Sequence, residues 1–278
     1  MSAVRTPTVM TPVVARPALK VTQGRVLRSE LTKFVSLRST IYTLLTAVVL
    51  MIGIGVAFSA AAASQYHTFA AAERAGFNAV TPSLSGVMFA VVAFGVLGVL
   101  VTSGEYSTGM IRSSLTAVPR RLPVLWGKLA VFAGVIFPVS LIASFISFFI
   151  GQAVLNTHHI GVSITASGAL QSVIGAALYV TVAGMIGVTL GALFRNTAAG
   201  IATFASVFFV IPPLVSLLPS SISGDLSPYL PSNAVAALWG GEQNVPNALA
   251  PWTGFALLCG YGAVLIAAAA WRLRRSDA

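Results

Sequence analysis

Gly104-EYSTGMIRSSLTAVPRRLPVLWG-Lys128 is the one long polar interruption carrying several basic residues in an otherwise apolar chain. An apolar run, Leu84 to Val101, enters it, and another, Leu129 to Ile150, leaves it. Its first half has the makings of a short helix. Ser107 or Thr108 supplies a hydroxyl for an N-cap, and Ile111, Leu115 and Val118 follow at spacings of four and three, on one face. Pro119 stops such a helix, because it lacks an N–H and disfavours helical geometry at Val118. A helix shorter than about 12–15 residues is marginal alone, so this one needs a surface to lie on: lipid headgroups or another protein.

Working outward, the composition is that of a membrane protein. Of 278 residues, 56% are hydrophobic and 8% charged, with mean hydropathy +0.90, against about 25% charged in soluble domains. Six apolar segments are expected to span a bilayer: about 40–60, 84–103, 129–154, 168–194, 198–218 and 252–271. Each is close to the roughly 20 residues that a hydrocarbon core requires. The spans must be helices, since backbone polar groups in lipid have to satisfy one another and no alternating polarity points to strands. The fold class is therefore an all-α integral membrane protein with six transmembrane helices.

Flanking segments complete the expected organisation. Residues 1–19 are rich in Pro, Thr and Val without periodicity and read as a disordered tail. Residues 20–39 place Leu27, Leu31, Phe34 and Val35 at helical spacing among Arg25, Arg28, Lys33 and Arg38, the pattern of an amphipathic interfacial helix. Ala60–Ala63 superficially offers a cleavage site, but the apolar run is longer than the roughly 7–15 residues of a signal peptide, so an uncleaved anchor is expected. Residues 272–278 form a basic tail.

Charge placement orients the chain. Seven Lys or Arg precede span one, four lie in the 104–128 loop, one in the turn Arg195–Thr197 and three in the C-terminal tail, whereas the opposite loops hold Arg74 alone. By the positive-inside rule both termini and the 104–128 loop are cytoplasmic. The net charge of +10 is thus an orientation signal spread over separate segments, and no nucleic-acid partner is expected.

Chemistry is sparse. The predicted spans contain no Asp, Glu, Lys, Arg or His away from their ends, which argues against a proton relay or a charge-ringed channel. Gly127-Lys128 lacks the upstream glycine and following hydroxyl of a phosphate-binding loop, so the chain is not expected to bind or hydrolyse ATP. No catalytic, cofactor or metal site is expected; adjacent His158 and His159 have no accompanying carboxylate or cysteine. The lone Cys259 excludes an internal disulfide. Gly184, Gly187 and Gly191 suit close helix packing, within the chain or at a dimer seam. Phe89, Phe94, Phe204 and Phe208 are candidates for a substrate path, with packing in the core or against lipid as the simpler use. No role is assigned to Asp225 or Glu242.

Three features resemble the ABC type-2 export permease family: the approach to span one near Glu30 to Leu44, the loop pattern Glu105, Gly109, Leu115, Pro119, Arg121, Lys128, and Tyr229-Leu-Pro-Ser-Asn-Ala234 before span six. The resemblance implies a bacterial inner-membrane exporter subunit that pairs with a second permease chain, homodimeric or heterodimeric, and docks on a separate ATP-binding subunit holding ATP and Mg. It makes Glu105, Gly109, Ile111, Arg112, Leu115, Pro119 and Arg121 the docking element, a cytoplasmic coupling helix between spans two and three. Arg120 and Arg121 equally suit headgroup binding. An immunity or assembly protein and a passive channel remain the other readings.

Overall fold

The computed structural model describes residues 22–110, 122–241 and 245–275. The expected tail 1–19, the loop residues Ile111, Arg112, Leu115, Val118, Pro119, Arg120 and Arg121, Glu242, and the last residues of the basic tail lie outside this range. The described residues form helices and turns, with no strand among them.

Six helices are long and apolar enough to cross a membrane, and they match the six segments expected from hydropathy. In chain order, α1 (Gln23–Ser36) meets α2 (Arg38–Gln65) at Leu37, whose extended backbone makes the elbow between them. Short helices α3 (Ala71–Ala75) and α4 (Val80–Leu84) lead to α5 (Val87–Ser107). Then come α6 (Leu122–Asn156), with Pro138 inside it, α7 (Ala169–Phe194), α8 (Thr197–Ala205) and α9 (Ile211–Ser216). Between spans five and six lie α10 (Ser220–Leu226), α11 (Pro231–Ala234) and α12 (Ala236–Trp239); α13 (Pro251–Arg275) is the last span.

The bundle is built around α7, the most buried of the six. Hydrocarbon gives little hydrophobic drive between helices, so close approach of small residues has to supply the packing. Here it does. A Cβ on Gly187 would strike the carbonyl of Gly95, and one on Gly98 the carbonyl of Gly184. One on Gly191 would come within 2.6 Å of the Val99 carbonyl oxygen. The glycines of span four therefore seat α5 of the same chain.

A second seam is polar. Gln152 on α6 donates from Nε2 to the Ala79 carbonyl (2.8 Å) and to Ser83 Oγ (3.0 Å), and its Oε1 accepts from the Val162 amide (2.7 Å). Ser147 donates to the Ser83 carbonyl (2.6 Å). These uncharged groups satisfy one another in the interior, as a membrane core demands.

Span five is interrupted. Pro212 and Pro213 have no N–H, and their rings crowd carbonyls one turn back. Directly before them Ser206–Val210 widens into a π-helical turn. The segment before span six folds inward: Ala234, Val235, Leu238 and Trp239 are buried, and Gly254 admits the Ala234 carbonyl against α13.

Candidate functional site

At one end of the bundle four charged side chains close into a ring. Glu30 comes from α1, Lys33 from its next turn, Glu105 from the last turn of α5, and Lys128 from the second turn of α6. Lys128 Nζ lies 2.7 Å from Glu30 Oε2 and 2.7 Å from Glu105 Oε1. Lys33 Nζ lies 2.7 Å from Glu30 Oε1 and 3.1 Å from Glu105 Oε1. Glu30, Glu105 and Lys128 are 6%, 4% and 4% exposed. Two carboxylates and two ammonium groups cancel, which is the condition for holding charge out of water. Glu105 Oε2, also buried, has no hydrogen-bond partner among the described residues.

The ring forms because α1 lies tightly on α6. Gly127 leaves room for Val26, whose Cγ1 would sit 3.0 Å from an added Cβ. Phe34 meets Phe132 edge to face, with centroids 6.1 Å apart. The inward face of α1 is thus Val26, Glu30 and Phe34, one residue per turn, with Glu30 in the middle. This shifts the apolar face expected from sequence: Leu31 and Val35 are 44% and 54% exposed. The reason is that the helix packs on its own protein around a charged residue, and its outer side is left to its surroundings.

Burial works against the charged form of Lys33. The hydrogen bond to Glu30 and the fields of Glu105 and Glu30 outweigh it, so its pKa is raised above the usual lysine value.

Neighbouring contacts bring the other basic segments to the same end. Arg195 stacks over Tyr106, 5.2 Å from the ring centroid. Ser103 and Thr197 share a hydrogen bond of 2.8 Å. Arg272 donates to the Leu193 carbonyl. Four segments separated in sequence therefore gather their cations at one end, as the charge count requires.

The polar loop is shorter than its composition suggests. Helix α5 continues to Ser107 and α6 begins at Leu122, so both Glu105 and Lys128 sit on helices. The Ser107 and Thr108 hydroxyls donate to the Gly104 carbonyl at the end of α5, at 3.0 and 2.8 Å, while the helix they were expected to cap lies in residues outside the described range. A hydroxyl near a helix end bonds backward as readily as forward, and the apolar register of α5 runs on past Ser103. Gly109 follows with φ of 72°, a left-handed geometry that glycine adopts freely and that ends the helix. Glu105, expected in the docking element, is buried and engaged with Lys33 and Lys128.

Of the candidate path residues, Phe94, Phe204 and Phe208 are core: 0%, 1% and 2% exposed, with Phe204 and Phe208 stacked at 4.6 Å. The Phe204 ring covers Gly95. Phe89 is 48% exposed on the outside of α5. The structure does not bring these four to one open channel within a single chain. His158 packs near His67, centroids 5.9 Å apart, and no group of three His, Cys, Asp or Glu with metal-binding proximity occurs among the described residues.

Glu30, Lys33 and Lys128 escaped the sequence reading as a site. The signal was available: acidic residues number only six in the chain, and three of them, Glu30, Glu105 and Asp277, lie within its basic flanks. The ring ties α5 and α6, on either side of the 108–121 connection, to α1. No family model matches the chain, and no curated protein matches it.

Proposed function

We propose that this chain is the membrane-spanning subunit of an ATP-driven bacterial exporter of the ABC type-2 permease kind. It sits in the inner membrane with both termini and the 104–128 loop in the cytoplasm, and it works as a dimer on a separate subunit that binds ATP and Mg. The observation that supports this most is the charge ring. A push on the connection between Ser107 and Leu122 is delivered to α1, α5 and α6 together, because Glu105 and Lys128 join all three. Rigid transmission from one loop is what a subunit driven by another molecule needs. The loop pattern and the segment Tyr229–Ala234 point to the same family, and that segment lies folded against the last span as an outer lid would.

In this reading Ile111 and Leu115 fill a groove on the ATPase, and Arg112 and Arg121 add polar contacts beside Gly109 and Pro119. The test is Leu115→Asp, alongside deletion of 107–117, in membranes carrying both subunits. Insertion is expected to persist while ATP-hydrolysing activity no longer co-purifies and export stops. Normal co-purification and normal export by both variants would reject the docking role, and conductance in liposomes without ATP would favour a channel.

A further inference from the structure

At the end of the bundle away from the charge ring, an open cavity of about 720 Å³ lies between the close of α2 and the start of α4. Its walls include Phe58, Phe69 and Phe77, and its one charged lining residue is Glu73. The aromatic wall is buttressed from behind. Tyr66 packs against Phe77 and Phe69, centroids 5.3 and 6.1 Å apart, and Phe69 lies 6.2 Å from Phe77.

The polar groups around this cavity are largely committed. Glu73 Oε2 accepts from the Ala70 amide at 3.0 Å, which fixes the carboxylate at the start of α3. Asn78 Oδ1 accepts from the Val80 amide at 3.0 Å, and Thr81 donates to the Gly240 carbonyl. Arg74, the neighbouring cation, points its Nε at the Phe69 carbonyl (2.9 Å) and does not line the cavity. What the lining still offers is one negative charge and the Gln65 side-chain amide, beside aromatic ring faces. Such faces attract cations, the arrangement used to hold quaternary ammonium groups. Phe58, 54% exposed, extends the wall along the first span, so an apolar body bound here stays against the membrane-facing side of α2.

We propose that this cavity binds monovalent organic cations carrying an apolar body, with the charge between Glu73 and the Phe69–Phe77 wall. The site needs neither ATP nor a partner, so it stands or falls apart from the exporter reading.

The test uses tetraphenylphosphonium and its anionic counterpart of the same shape, tetraphenylborate. Binding is measured by equilibrium dialysis against the full chain in nanodiscs of uncharged phosphatidylcholine, with empty discs subtracted. Wild type is expected to hold the cation more tightly than the anion. Glu73→Gln keeps an acceptor for the Ala70 amide and should weaken the cation by about fivefold, the scale of one exposed charge interaction, without weakening the anion. The double variant Phe69→Leu, Phe77→Leu keeps apolar bulk but loses the ring faces, and should weaken the cation by a similar factor of about five. Equal wild-type affinity for the two ions would overturn the proposal. So would unchanged cation binding in both variants, or an equal loss of both ions in Glu73→Gln.

Discussion

Replacing Lys128 with methionine keeps the length of the side chain and removes its charge. Glu30 Oε2 then loses its partner at 2.7 Å, and among the described residues Glu105 Oε1 keeps Lys33 at 3.1 Å. Glu105 Oε2 has no described partner even in the intact ring. Among the described residues the ring passes from neutral to a net charge of minus one, with its two carboxylates 4–6% exposed. Removing one member of a buried ion pair costs about 3–5 kcal/mol, because the charge left behind has neither water nor partner. An exposed pair would cost at most about 1 kcal/mol. Equilibrium unfolding in mixed micelles should therefore show a loss of about 3–5 kcal/mol for Lys128→Met. The double variant Glu30→Gln, Lys128→Met removes one charge of each sign and should recover part of it, with a coupling energy of about 0.5–3 kcal/mol. A loss under about 1 kcal/mol, or a double variant equal to the sum of the singles, would refute the idea of a closed, desolvated ring.

Two further expectations concern pH and packing. The folded pKa of Lys33 is raised, so the stability it contributes is fully present below its ordinary value of 10.5 and is lost as pH rises through the higher folded value. A pH titration of the thermal midpoint should show wild type losing stability above about pH 10.5, and Lys33→Met should flatten that limb; an unchanged limb in the variant would contradict the assignment. Gly187→Leu drives a side chain into the Gly95 carbonyl and should cost at least about 1–3 kcal/mol. Gly260→Ala meets nothing within 4 Å and should be neutral or stabilising by up to about 1 kcal/mol; similar midpoints for the two would show that the α5–α7 approach is looser than described.

Much of the architecture was written in hydropathy alone. Lipid leaves a chain few options, so runs of about 20 apolar residues map directly to helices. Gly187 and Gly191 also declared their role, because small residues at that spacing have one structural use, even though the sequence did not say whether the partner lay inside the chain. The ring was not legible for a definite reason. Glu30 and Lys128 are 98 positions apart, and nothing local marks them as partners. Periodicity on α1 picked Leu31 and Val35, since apolar residues facing outward cost nothing there and mask the face that packs. A hydroxyl suits either end of a helix, and Ser107 and Thr108 are engaged at the end of α5. Phe204 and Phe208 offered no means of separating a packed pair from an open wall, and only their burial decides.

The most direct measurement of the central claim is uphill transport in sealed proteoliposomes. Chain and ATP-hydrolysing subunit are reconstituted together and separately, with the cargo recovered from the native complex. The account predicts ATP-dependent accumulation only when both are present, and its loss in Lys128→Met under conditions where that variant remains folded. Accumulation by the chain alone, or full transport by that folded variant, would contradict it.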